Sequence, residues 1–133
     1  MVEEKSAMDQ HKYTILVVED EVFNFKYLEE LLSEKGHKIL LAVNGVQAVE
    51  MFREKPDIDL ILMDLKLPIL NGIDATKEIR RINSTVPIIA QTAYAMNSDK
   101  ENALKAGCND YIIKPIDEAL LFEKIEKCCR KLV

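Results

Sequence analysis

Cysteine and histidine are scarce in this chain, and their scarcity excludes a structural zinc cage. The 133 residues include three cysteines, and Cys108, Cys128 and Cys129 form no C-x-x-C pair. The two histidines, His11 and His37, do not complete the close set of four ligands that such a site needs. This use of cysteine indicates a protein of the reducing cytoplasm.

Long apolar runs and an excess of positive charge are also missing. The runs 60–63 and 111–113 are far shorter than the roughly 20 residues of a transmembrane helix, and residues 1–13 are charged rather than signal-like. Lysine and arginine number 18 against 23 aspartates and glutamates, which gives a formal net charge of −5. We therefore expect no direct binding to a membrane or to nucleic acid.

The remaining composition is that of one globular domain. Hydrophobic residues make up 48% and charged residues 31% of the chain, as in ordinary soluble domains. A chain of this length buries roughly two-thirds of its unfolded surface, so one core forms without disulfides or metal. Residues 1–12 are polar and are predicted to be a leader or the remnant of a linker, followed by a folded domain over 13–133.

Strand and helix patterns alternate along the chain. Short apolar runs predict strands at 14–18, 38–42, 58–63, 87–92 and 111–113, and helical spacing begins near 22, 45, 73, 98 and 121. Ser98 and Glu101 fit a capping box at the start of the fourth helix, whose apolar stripe is thin. Because parallel neighbours need crossover helices, we predict an α/β fold with a doubly wound five-stranded parallel sheet and five helices.

Polar residues directly follow four of the predicted strands. Glu19 and Asp20 end the first, Asp64 the third, Thr92 the fourth and Lys114 the fifth. A single acid at a strand end is most simply a solvated loop residue. In a doubly wound sheet, however, sites form beyond the carboxyl ends of the strands, so we expect these five side chains to converge.

A convergent set of this kind needs added positive charge. Carboxylates about 4 Å apart repel at roughly 4 kcal/mol per pair at an effective dielectric constant near 20. The three negative charges of Glu19, Asp20 and Asp64 are offset by Lys114 together with one divalent cation. Since the ligands are all oxygen atoms, the sequence predicts a Mg²⁺ site.

Four motifs resemble those of the receiver domain of two-component response regulators. They are VVED at 17–20, LMDLKLP at 62–68, QTA at 91–93 and DYIIKP at 110–115, and the likeness runs from Thr14 to Leu132. The resemblance implies a flavodoxin-like fold with strand order 2-1-3-4-5. The residues at 19–24 and 107–110 are more similar to receivers of hybrid sensor histidine kinases, but a stand-alone regulator stays open.

The resemblance also implies roles for the acidic residues. Asp64 would accept a phosphoryl group from a phosphohistidine on a sensor histidine kinase or a histidine phosphotransfer domain. Asp20, Asp64 and the backbone carbonyl of Lys66 would hold Mg²⁺, with Glu19 bound to it directly or through water. The domain would be phosphorylated and would dephosphorylate itself, without being an enzyme in its own right.

Four further residues receive roles in the same way. Lys114 would bind one phosphoryl oxygen and the Thr92 hydroxyl another. The inward movement of Thr92 would let Tyr111 turn into space that the small Ala93 leaves open. The face formed by helix four, strand five and helix five would then change shape, and it could also serve as a dimer interface.

Three alternatives share parts of this pattern. A flavin-binding electron carrier is disfavoured, because the acids at 19–21 would repel the flavin phosphate. An aspartate-nucleophile phosphatase would have an acid two residues after Asp64, where this chain has Lys66. The alternative that stays open is a pseudo-receiver, a protein-binding module that is never phosphorylated.

Overall fold

Five parallel strands form the centre of the fold. The computed structural model describes residues 11–93 and 97–129. The strand order is β2-β1-β3-β4-β5, with every neighbouring pair parallel, which confirms the predicted architecture. The strands are β1 Thr14–Val18, β2 Lys38–Ala42, β3 Leu60–Asp64, β4 Ile88–Thr92 and β5 Asp110–Ile113. The helices are α1 Val22–Glu34, α2 Gly45–Glu54, α3 Gly72–Ile82, α4 Asn97–Ala106 and α5 Glu118–Cys129.

The two faces of the sheet bury separate apolar cores. Side chains alternate between faces along a strand, so Ile15 and Val17 of β1 contact one core and Leu16 and Val18 the other. The first core is completed by α1 and α5 and the second by α2, α3 and α4. We call them the α1/α5 core and the α2/α3/α4 core.

Several boundaries differ from the sequence-based expectation by one to three residues. The third strand begins at Leu60 instead of residue 58, because Ile58 is buried in the preceding turn, where its N–H donates to the Lys55 carbonyl at 3.2 Å. Helix α4 begins one residue early, at Asn97, so Ser98 lies inside its first turn instead of capping it.

The thin apolar stripe predicted for α4 is confirmed, whereas the predictions for the chain ends fall mostly outside the described residues. The buried apolar side chains described on α4 are the small residues Ala103 and Ala106, as its thin stripe predicted. Most of the leader, residues 1–10, and Leu132 of the last predicted stripe lie outside the described residues. Of the described helices, none combines the length and the apolar character that a membrane span requires.

Candidate functional site

A polar layer lies at the carboxyl edge of the sheet, directly above the α1/α5 core. Glu19, Asp64 and Lys114 each follow by two residues a strand side chain buried in that core, and the strand period of two places them on the same face. Those buried side chains are Val17, Leu62 and Ile112. Glu19 is only 1% exposed and Asp64 5%.

The structure brings four of the five predicted side chains together. Carboxylate oxygens of Glu19, Asp20 and Asp64 lie within 4.8 Å of one another. Lys114 Nζ lies 3.0 Å from Asp64 Oδ2 and 3.2 Å from Glu19 Oε1. The fifth residue, Thr92, is buried at the end of β4 and lines the adjoining cleft with Asp20.

The Asp64 carboxylate has a protein donor at each oxygen. Oδ1 accepts from the Lys66 N–H at 3.0 Å and Oδ2 from Lys114. Burial, assisted by the negative charge of Glu19, raises the pKa of Asp64 although both donors oppose the change. The Asp64 carboxylate is thus partly shielded from water, which disfavours its charged form.

The pKa of Lys114 is also raised, although burial acts on a lysine in the opposite direction. Burial alone would lower the pKa of Lys114, but its hydrogen bond to Asp64 and the charges of Asp64 and Glu19 outweigh burial and raise the pKa. The ammonium therefore stays charged. One positive charge beside three carboxylates leaves the group negative, and this all-oxygen donor set fits a hard divalent cation such as Mg²⁺.

The loop after β3 forms one wall of an open cleft beside these carboxylates. The cleft has a volume of about 620 Å³ and includes Asp20, Lys66 and Thr92 in its lining. Gly72, at the start of α3, packs so closely that a Cβ there would lie 2.2 Å from the Asp64 carbonyl oxygen. Only a glycine lets α3 begin directly against the end of β3.

Two residues of the site were missed by the sequence analysis. The Asn24 amide of α1 donates to Glu19 Oε1 and also, at 3.3 Å, to Oε1 of the fully buried Gln91. The available signal was Gln91 itself, since it is a polar residue within the apolar run of β4. A side-chain amide in a buried strand requires a hydrogen-bonding partner.

The two predicted switch residues lie at the side of this group. Tyr111 is half-buried, and Nζ of Lys100 and of Lys124 lie 4.7 Å and 5.4 Å from its ring centroid. Ala93 follows β4 and is exposed. Their switching roles, like the metal-binding role of the Lys66 carbonyl, stay predictions.

Fold and site together define a doubly wound α/β domain with an acidic pocket at the point where its strand order reverses. The family model described as the response regulator receiver domain matches residues 15–126. The chain belongs to this family of two-component signalling domains.

The similar proteins include receivers of both histidine kinases and response regulators. Hybrid signal transduction histidine kinase I of Dictyostelium discoideum is 43% identical over an alignment of 119 residues, which covers 84% of this chain and 7% of that protein. The chain thus spans a small part of this relative's length.

Two solved structures provide close comparisons. The receiver domain of sensor histidine kinase PA1611 from Pseudomonas aeruginosa PAO1, with a magnesium ion coordinated in its active site cleft, has a TM-score of 0.82 and 41% identity, covering 90% of this chain and 98% of that one. The receiver domain of Saccharomyces cerevisiae Ssk1, crystallised with the histidine phosphotransfer protein Ypd1, has a TM-score of 0.83 and 38% identity, covering 89% of each chain.

Proposed function

We propose that this receiver is a Mg²⁺-dependent phosphoacceptor whose Asp64 takes the phosphoryl group of a phosphohistidine. The observation that carries the proposal is the placement of Asp64. Its carboxylate ends a central strand, contacts the Lys114 ammonium at 3.0 Å and lies within 4.8 Å of two further carboxylates. A structural salt bridge would not require the second and third acids.

The proposed transfer forms an acyl phosphate. An oxygen of the Asp64 carboxylate forms a bond to phosphorus while the bond between phosphorus and the histidine nitrogen breaks, and the imidazole leaves with the electron pair. Lys114, released from its bond to Asp64, binds an oxygen of the transferred group. Thr92, at the end of the adjacent strand, donates its hydroxyl to another oxygen.

Mg²⁺ would be held by Asp20, Asp64 and the Lys66 carbonyl, with Glu19 bound directly or through water. When bound, the cation offsets negative charge on the transferring phosphoryl group. Glu19 and Asp64 are buried at the strand ends above the α1/α5 core. The protein itself therefore excludes bulk water from the side of the site that faces this core.

Movements of Thr92 and Tyr111 would transmit the effect of phosphorylation from the site to the protein surface. Movement of Thr92 toward the phosphoryl group would open space beside Ala93 for the tyrosine ring. Since Lys100 of α4 and Lys124 of α5 both contact that ring, its rotation would alter the α4, β5 and α5 face. This face is the proposed surface for output and for dimer formation.

The proposed partner is a sensor histidine kinase or a histidine phosphotransfer domain, as supported by the Ypd1 complex of the yeast neighbour. The proposed receiver unit is 13–133, preceded by a polar leader or linker over 1–12. Either a stand-alone regulator or a hybrid kinase would accommodate it. The acyl phosphate would be lost by autodephosphorylation.

Intact-mass measurement after incubation with acetyl phosphate tests the proposal. The wild type should gain one phosphoryl group with Mg²⁺ and none with excess EDTA, and Asp64→Asn should gain none under either condition. Asp57→Asn is the matched control, because it removes an exposed acid from the turn that precedes the same strand, far from its carboxyl end. If the wild type shows no gain with Mg²⁺, the pseudo-receiver alternative replaces this proposal.

A further inference from the structure

Two side-chain amides connect strand β4 to the Glu19 carboxylate. Gln91 Oε1 accepts from Asn24 Nδ2 at 3.3 Å, and the same nitrogen donates to Glu19 Oε1. The two amides come from distant parts of the chain, since Asn24 lies on α1 and Gln91 is the β4 residue in register with Asp64. The contact therefore ties α1 to the strand beside the proposed phosphoacceptor.

The Glu19 carboxylate is held from several directions. Oε2 accepts from the Glu21 N–H at 3.2 Å, while Oε1 contacts both Asn24 and Lys114. A glutamate side chain has one more rotatable bond than an aspartate, so it needs more contacts to stay in one rotamer. Asn24 supplies the contact that is neither backbone nor charged.

Only the oxygen of the Gln91 amide has a hydrogen-bond partner. The residue is fully buried, and its Nε2 has no hydrogen-bond partner in the described structure. A buried N–H without a partner destabilises a fold, and an apolar side chain of similar size would avoid that cost. The hydrogen bond to Asn24 is the contact that such an apolar replacement would lose.

We propose that Asn24 and Gln91 are positioning residues for the cation site. Gln91 fixes the orientation of the Asn24 amide. Asn24 in turn holds the Glu19 carboxylate in the orientation in which it binds a divalent cation, directly or through water. Groups that orient metal ligands in this way raise metal affinity because the ligands lose less conformational freedom on binding. The inference rests on the cation site of the proposed function and goes beyond it by assigning these two residues.

The test pairs metal affinity with fold stability. Mn²⁺ serves as the probe, because the EPR signal of the free ion reports binding directly, and thermal unfolding is followed in EDTA. Gln91→Leu should weaken Mn²⁺ binding roughly tenfold while leaving the unfolding midpoint unchanged or higher. A residue with a merely structural role would show the reverse, a lower midpoint and an unchanged affinity.

Three further variants make the assignment specific. Ile89→Val trims a buried side chain of the same strand and core, so it should lower the midpoint and keep Mn²⁺ affinity. Asn24→Ala should weaken binding at least as much as Gln91→Leu. The double variant should bind no more weakly than Asn24→Ala alone, because Gln91 acts through Asn24.

The outcomes separate this inference from the proposed function. If the wild type binds Mn²⁺ and Gln91→Leu binds it equally well, the positioning role is overturned while the cation site stands. Additive losses in the double variant would likewise overturn the proposed order of contacts. If the wild type binds no Mn²⁺, both the cation site and the positioning role are overturned.

Discussion

Lys114 Nζ lies 3.0 Å from Asp64 Oδ2, and the same ammonium lies 3.2 Å from Glu19. One lysine at the end of β5 thus connects the ends of β1 and β3 across the sheet. Because both carboxylates are buried and Asp20 is close to them, this single cation does not balance the group. The site is therefore electrostatically incomplete without a further positive charge.

Removing the charge of Lys114 should destabilise the folded protein, because the buried carboxylates then lack a counter-charge. Lys114→Met keeps much of the side-chain length but removes the charge that two buried carboxylates share. We expect the free energy of unfolding in EDTA to fall by about 2 kcal/mol, less than for a fully buried pair because the lysine retains some exposure. Saturating Mg²⁺ should restore part of this loss.

Denaturant unfolding with and without Mg²⁺ provides the measurement. Lys124→Met is the matched control, since it removes a lysine paired with the partly exposed Asp110 at 3.1 Å, away from the acidic group. Its cation site is intact, so Mg²⁺ should stabilise it as much as the wild type and less than Lys114→Met. Equal Mg²⁺ responses in the two variants would contradict the shared role assigned to Lys114.

Gly72 should be intolerant of a side chain. The Cβ of Gly72→Ala would lie 2.2 Å from the Asp64 carbonyl oxygen and 2.8 Å from Leu65 Cα, so backbone would have to move. We expect a loss of about 2 kcal/mol in unfolding free energy and a slower gain of phosphate from acetyl phosphate.

Gly45→Ala is the comparison for this prediction. Gly45 also begins a helix, but its Cβ would meet the Leu70 carbonyl oxygen at 2.1 Å instead of Asp64. It should destabilise the protein to a similar degree and slow phosphorylation less. An equal rate for both variants would mean that the position of the Asp64 backbone is unimportant.

The surroundings of His37 predict that the free energy of unfolding falls in mild acid. Its Nδ1 accepts from the Tyr13 N–H at 3.0 Å and so must be unprotonated. Burial, with the nearby charges of Lys12 and Lys35, lowers the pKa of His37 against the opposing charge of Glu126. The folded state thus resists protonation more than the unfolded state does.

The sign of the pH dependence follows from that difference. The contribution of His37 is fully present above its ordinary pKa of about 6.5 and is lost as the pH falls through the lower folded-state value. In His37→Asn, the amide oxygen can accept the same bond and does not titrate. Unfolding in EDTA from pH 8 to 5 should show a smaller loss for this variant, and an equal loss would refute the prediction.

Local patterns predicted the five-stranded parallel sheet and the charged part of the site, whereas the strand order came from the family resemblance. The alternation of short apolar runs with helical stripes determined the sheet, and acids placed directly after those runs marked its carboxyl edge. Glu19, Asp64 and Lys114 could be chosen because each ends an apolar run, a property visible in a few neighbouring residues.

Contacts between distant residues could not be predicted in the same way. The bond between Asn24 and Gln91 joins residues 67 positions apart, and neither residue carries a charge that would mark it. The pairing of Lys100 and Lys124 with Tyr111 also depends on how α4 and α5 pack beside β5. The start of α4 was misplaced by one residue, since the Ser98 and Glu101 pattern fits a cap that the helix does not use.

The most direct test of the account is the position of the phosphate on the chain. Borohydride reduces an aspartyl phosphate to homoserine, which peptide mass spectrometry locates after treatment with acetyl phosphate and Mg²⁺. If Asp64 is the phosphoacceptor, homoserine should appear at position 64, and it should be absent when EDTA replaces Mg²⁺. Homoserine at another acidic position, or a phosphorylated protein that borohydride leaves unchanged, would contradict the account.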